Sequence, residues 1–216
     1  SSAGARPKAL IGVNDKRDHI IHGVHDLPAG YTPWMVKFPN SQDGLDAGAI
    51  EYVYALMAKE AGVSMPDVHL FPAKRGTGYF AIKRFDRDGD KRYHMHTACG
   101  LLHSDFRTPS LDYEDLVALT GMLTRDVREV EKLYQLAVFN VLAHNRDDHS
   151  KNFSYLMDSQ GRWKISPAYG CLIRPRFTCA AVFGVVADDH LRDPLGGREE
   201  LGEVFFAEAH GHRRDA

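Results

Sequence analysis

From Thr124 the chain repeats Val127, Val130, Leu133, Ala137, Val138 and Val141 at helical spacing, then changes character within a few residues. Thr124 stands where an N-cap would, with Asp126 in the first turn. The stretch HNRDDHSKN, residues 144–152, then gathers two adjacent carboxylates, two histidines, a lysine and two asparagines with almost nothing apolar. FSYLM (153–157) and RWKIS (162–166) follow on either side of DSQGR, a hairpin signal. Helix, polar loop, hairpin is the local order that any fold of this chain must accommodate.

Upstream the punctuation is equally regular. HIIHGV (19–24) and PWMVKF (33–38) have the residue types of short strands, separated by the turn signal DLPAGYTP. Ile50, Val53, Tyr54, Met57 and Ala61 then repeat at helical spacing over 46–61, and Gly62 stands where a C-cap glycine would. VHLFPA (68–73) and GYFAIKRF (78–85) follow as two strands around the turn KRGTG. No internal repeat and no long linker interrupts the series.

At 216 residues, 44% hydrophobic and 26% charged, the chain is long enough to bury a core as one large domain or two small lobes, and its composition is that of a soluble globular protein. A net charge of -2 gives no overall nucleic-acid or membrane signal. Cys99, Cys171 and Cys179 include no CxxC pair, which favours a reducing compartment. There is no apolar run of ~18 residues and no charged-then-apolar leader, so a cytoplasmic location without a membrane partner is expected. The first residue is not Met, and SSAGARPKAL has the look of a start inside a folded domain, as in a fragment.

The polar loop has a bland reading, a solvated helix-to-strand connection, and its residue types alone favour it. Its spacing favours chemistry. Asp147 and Asn152 stand as D-x-x-x-x-N, and phosphoryl transfer needs an aspartate to accept the proton of the attacking hydroxyl and an amide oxygen to hold magnesium. Lys151 lies between them, where a cation would meet developing phosphate charge. Such a reaction also needs a strand lysine and a helix carboxylate to place the phosphates, and Lys37 and Glu51 occupy those positions in order. Singly, each is more simply a solvated side chain. SSAGARPK adds a small-residue loop whose amides could approach phosphates.

SSAGARPKAL, WMVKFP, IEYVYALMAKEAGVSMPD, FAIKRFDR, GLLHSDFRTPSLDYEDL and NRDDHSKNFSYLMD followed by WKISPAY run in one order from residue 1 to about 169. Together they resemble the HipA family, the serine/threonine-kinase toxins of bacterial toxin–antitoxin pairs. The resemblance implies an α/β (α+β), protein-kinase-like two-lobed fold, with an N-lobe sheet plus helix over 1–86 and an incomplete helical C-lobe over 87–169. It implies ATP and Mg2+ as cofactors and Asp147 as the catalytic aspartate. His149, Lys151 and Asn152 would line the nucleotide and metal site, Asn152 as the metal ligand. Lys37 would meet the ATP phosphates, with Glu51 as its structural ion-pair partner. Ala3, Gly4, Ala5, Arg6, Pro7 and Lys8 would form the phosphate-side loop, Lys83, Arg84 and Phe85 the hinge near adenine, and Tyr169 a further nucleotide contact. Ser1 would fall on the serine that family members autophosphorylate. A small DNA-binding, HipB-like antitoxin is the implied partner, DNA only through it, and the translation machinery the implied source of protein substrates.

The pattern breaks after PAY. Where the family continues with a metal-binding aspartate, this chain has Gly170, which offers no ligand oxygen from a side chain. The tail 170–216 departs from the expected helical lobe, apart from a short helical pattern around REELGEVFFAEA, as a truncated or frameshifted gene would. Nothing in the sequence argues for Asp188, Asp189 or Asp193 as a replacement ligand. Two classes are therefore open: an active ATP-dependent protein kinase, and a catalytically impaired pseudokinase or remnant that binds nucleotide or antitoxin without turnover.

Other clusters are weaker. His94, His96, Cys99 and His103 have zinc-ligand chemistry but match no zinc spacing, and His144 and His149 suit hydrogen bonding as well as ligation. DRDGD lacks the later Glu of a calcium loop. The charged stretches DYEDL, TRDVREVEKLYQL and RFDRDGDKRYH are expected to be solvated helix surface.

Overall fold

Alternation of apolar side chains sorts the N-terminal strands into two faces, and that alternation positions everything that follows. The computed structural model of the protein describes residues 6–23, 26–40, 43–89, 91–103, 112–145 and 150–170, all within one unit spanning 1–174. Strands β1 (Lys8–Asn14), β2 (Ile20–His22), β3 (Tyr31–Lys37), β4 (Val68–Phe71) and β5 (Tyr79–Lys83) form an antiparallel sheet in the order β2-β1-β3-β5-β4. Phe80 and Ile82 of β5, with Leu70 and Val68 of β4, pack beneath helix α1 (Ala47–Glu60) against Ala49, Tyr52 and Ala55. Ala81 of β5 and Trp34 and Val36 of β3 face the other way, onto Val13 and Phe71.

Helix α1 is covered on a second side as well. Tyr54 and Ala58 join the larger core built from the later elements, so this helix is clamped between two hydrophobic clusters. It ends as its sequence predicts: Gly62 takes the left-handed conformation (φ 81°) and its N–H reaches the Lys59 carbonyl at 3.0 Å.

The expected strands over 19–24, 33–38, 68–73 and 78–85 all exist. Strand β1 is an addition, because KALIGVN directly follows the stretch assigned to a phosphate loop; Lys8 is its first residue. RFDRDGDKRYH is not helix surface. It contains a small hairpin, β6 (Arg87–Asp88) with β7 (Lys91–Arg92), and the Asp86 carboxylate is gripped by Arg84 at 2.6 and 2.9 Å. Strand β8 (His94–Thr97) then pairs with β9 (Ser154–Met157), which pairs with β10 (Trp163–Ile165), so the expected hairpin is two-thirds of a three-stranded sheet. A four-residue helix, α2 (Ala98–Leu101), follows β8.

Helices α3 (Tyr113–Thr124) and α4 (Val127–Leu142) complete the described chain before the polar loop. Asp112 and Asp115 form a capping box at the start of α3. Thr124 is not the N-cap of the next helix but the last residue of α3, its hydroxyl donating to the Thr120 carbonyl at 2.7 Å. Asp126 is the cap, accepting the Arg128 N–H at 3.0 Å, because left-handed Arg125 (φ 54°) turns the chain between the helices.

The buried side of α4 also differs from the valine pattern. Leu133, Leu136 and Phe139 enter the core, whereas Val127, Val138 and Val141 are exposed. Two polar residues share the buried side and hold it there. Glu129 accepts the Ile165 N–H of β10 at 2.9 Å, and Asn140 donates to the Tyr113 hydroxyl of α3 at 3.0 Å. Hydrophobic periodicity cannot register such anchors. Among the described residues no helix is long and apolar enough to cross a membrane.

Candidate active site

Lys37 ends β3 and lies two residues after Met35, so strand alternation points it towards α1 rather than the outer core. Glu51 sits in the second turn of α1 and is 2% exposed. The two side chains form a short ion pair, Lys37 Nζ to Glu51 Oε1. Lys37 Nζ lies 5.3 Å from the Phe80 ring centre and also donates to the Tyr169 carbonyl at 3.3 Å. A buried lysine needs such partners, since an unpaired charge there would lose its hydration without compensation.

The second carboxylate oxygen of Glu51 lies 3.4 Å from Arg6, whose guanidinium binds Asp43 through two contacts of 2.9 Å. Arg6 is thus tied to α1 and its approach. Lys8 is directly across the ladder from Lys37. Burial, and then the Lys37 charge, lower the Lys8 pKa, with Glu51 opposing them. Cations from β1, β3 and the preceding segment therefore converge on one carboxylate.

The other wall comes from the polar loop and its sequel. The loop's start is pinned by Asn145, 8% exposed, whose amide donates to Asn140 Oδ1 at 3.0 Å while its N–H binds the Asn140 carbonyl at 2.8 Å. Its end is a 3-10 turn, Ser150–Asn152. The Tyr169 phenol donates to the Lys151 carbonyl of that turn at 2.8 Å and lies 2.5 Å from Ser154 Oγ. Burial raises the Tyr169 pKa, partly offset by the Ser154 bond, so the phenol stays neutral. A small cavity is lined by Leu136, Asn140, Asn145, Asn152, Tyr169 and Gly170, among others. Gly170 abuts Asn152: a Cβ there would lie 2.9 Å from Asn152 Cγ and 3.0 Å from its Oδ1.

The hinge candidates are adjacent to this wall. Phe85 packs its ring on Tyr169 at 5.5 Å. Lys83 and Arg84 hold the strand ends through their N–H groups, to the Asp67 and Pro33 carbonyls at 2.8 Å each. The Arg84 side chain is committed to Asp86. Pro7 accepts the Phe38 N–H at 2.9 Å. Among the described candidates, Lys37, Glu51, Arg6, Lys8, Phe85, Lys151, Asn152, Tyr169 and Gly170 are brought together. Ser1, Ala3, Gly4, Ala5, Asp147 and His149 lie outside the described residues.

Sequence reasoning missed Asn140, Asn145, Ser154 and Tyr113. Asn140 and Ser154 were visible only as polar residues at inward positions of a helix and a strand. The zinc candidates form no metal site: among the described residues no cluster of three or more histidine, cysteine or acidic groups exists. His94 and His96 instead pack edge to face, and His94 does the same with Trp163.

The sequence matches the HipA-like C-terminal domain over residues 1–182, beyond the last motif at Tyr169. The chain belongs to that family. A relative in Sinorhizobium fredii, named "Putative kinase Y4mE", is 32% identical over 151 residues, covering 65% of this chain and 34% of the relative. The HipA-like fold is shared with HipA of Shewanella oneidensis MR-1, solved with HipB and operator DNA (TM-score 0.63, 22% identity, 80% of this chain and 43% of that one). It is shared too with the proinflammatory kinase CtkA of Helicobacter pylori (TM-score 0.52, 20% identity, 65% and 50%). The chain spans about a third to a half of the length of these proteins.

The side chains of this HipA-like site fit the two expected cofactors unequally. Convergent cations around Glu51 suit phosphates. For magnesium, the described residues offer the amide oxygen of Asn152, while position 170 offers no side-chain ligand.

Proposed function

We propose that this HipA-like domain is a serine/threonine protein kinase that transfers phosphate from ATP to a protein hydroxyl, as the toxin of a toxin–antitoxin pair. The buried Lys37–Glu51 pair, with Lys37 donating to the Tyr169 carbonyl, is the observation that carries this reading. A lysine held by a helix carboxylate at the edge of a nucleotide cleft is built to place phosphates. In this reading Lys37 orients them, Phe85 borders the base, and Asp147 takes the proton from the attacking hydroxyl. Asn152 is the residue that would hold magnesium, which would supply positive charge beside the phosphates. A HipB-like DNA-binding antitoxin is the partner this reading assigns, on the strength of the Shewanella complex. A cytoplasmic location accompanies it.

A second reading rests on Gly170. With its metal ligand lost, the domain binds nucleotide or antitoxin without turnover. Magnesium-dependent ATP turnover and autophosphorylation of the purified chain separate the two, with Asp147→Asn as control. Activity that disappears in Asp147→Asn supports the kinase; activity that survives it overturns the assignment. Nucleotide binding without turnover selects the second reading.

A further inference from the structure

Arg6 reaches two carboxylates at once. Its Nε lies 2.9 Å from Asp43 Oδ2 and its Nη2 donates to Asp43 Oδ1 at 2.9 Å, a two-point grip in which the planar fork matches the carboxylate. Its Nη1 donates to Glu51 Oε2 at 3.4 Å, and Lys37 holds the other oxygen of that glutamate. Asp43 is in turn fixed by backbone: it accepts the Asn40 N–H at 2.9 Å and gives its own N–H to the Asn40 carbonyl at 3.2 Å. Asp43, Arg6, Glu51 and Lys37 thus form one continuous series of charge pairs, which runs from the chain just after β3 back to the last residue of β3.

The grip decides what Arg6 does. A guanidinium held at two points by one carboxylate, and touching a second, has its charge answered where it stands, so it serves to hold its neighbours rather than to bind an incoming anion. We infer that Asp43 is a positioning residue for the phosphate side of the cleft: through Arg6 it holds Glu51, and through Glu51 the Lys37 ammonium. Arg6 then supports the phosphate site without touching phosphate. This deepens the kinase reading and rests on it for the nucleotide. The inference has a sign of its own. Asp43 places negative charge near the cations that would meet phosphate, so by Coulomb's law alone its removal would tighten ATP binding. Acting by position, its removal loosens it.

Asp43→Asn is the test, since it keeps the shape of the side chain and removes its charge. Affinities for ATP and for adenosine are measured by calorimetry on the full chain in magnesium-free buffer. ATP affinity should fall about tenfold while adenosine affinity stays within about twofold, because only the phosphates feel the displaced lysine. Arg6→Lys keeps the positive charge but cannot bridge two carboxylates, so it should lose ATP in the same selective way. It also covers the case in which Asp43→Asn does not fold. The double variant should bind ATP about as the single ones do, since Asp43 acts through Arg6. ATP binding that is unchanged or tighter in Asp43→Asn overturns the inference, as does unchanged ATP binding in Arg6→Lys. Equal losses for ATP and adenosine overturn it too, because they report a loosened fold, and additive losses in the double variant would separate the two residues. All of these outcomes leave the kinase reading standing, whereas a native chain that binds no ATP defeats that reading and this inference with it.

Discussion

Gly170 lies against Asn152 so closely that a Cβ there would come within 2.9 Å of the amide carbon. Two positions that a metal site would need together are therefore adjacent, but the room between them is already filled by the asparagine. Restoring a carboxylate thus requires Asn152 to rotate aside. Gly170→Asp is expected to lower stability by about 1–3 kcal/mol through this crowding, by urea denaturation. Gly170→Ala should cost a similar amount. If Gly170→Asp creates magnesium-dependent turnover while Gly170→Ala does not, the missing carboxylate is the defect; if both are inert, the Asn152 clash prevails.

The Lys37–Glu51 pair makes an asymmetric prediction. Removing one partner strands a buried charge, so Lys37→Met should destabilise by about 3–5 kcal/mol. Arg6, 3.4 Å from Glu51, only partly replaces the lost cation. The double variant Lys37→Met with Glu51→Leu removes both charges and should cost clearly less than the two single changes combined. Additive costs in chemical denaturation would show that the pair is not coupled.

The elements with strict alternation or helical period were legible in the sequence: β3, β5 and α1, and with them the meeting of Lys37 and Glu51. What was not legible has identifiable causes. Strand β1 was obscured because Lys8 and Ala9 adjoin a small-residue loop, so its start carried no turn signal. The inner side of α4 was misassigned because Glu129 and Asn140, polar but satisfied, face inward while Val138 and Val141 face outward. In β8, His94 and His96 carry the chemistry of metal ligands, which masks a sheet edge in the sequence. In the site, the ion pair was readable from spacing, whereas the Ser154–Tyr169–Lys151 chain depends on contacts between residues in a strand, a loop and a turn.

Asp126 predicts a pH dependence of α4. Hydrogen bonds from the Arg128 side chain and then from its N–H lower the Asp126 pKa from 3.8 to about 2. A carboxylate whose folded pKa is depressed stabilises the fold above its unfolded value, and that contribution is lost as pH falls through the folded one. The melting difference between the native chain and Asp126→Ala should therefore be level above about pH 4 and shrink towards pH 2. A difference that stays constant across this window would mean that Asp126 does not act through its charge.

Which side of α4 carries the fold can be decided by truncating one residue on each. Leu133 is 0% exposed and Val141 is 66% exposed, although both belong to the same apolar series in sequence. Leu133→Ala removes buried methyl groups and leaves a cavity, and should cost about 2–5 kcal/mol. Val141→Ser changes a solvated position and should stay within about 0.5 kcal/mol. The comparison uses urea midpoints at constant slope, so that both values report the same transition. A large loss at Val141 would place that side of α4 against something in solution, and a small loss at Leu133 would contradict the packing of α4 on α3 and β10.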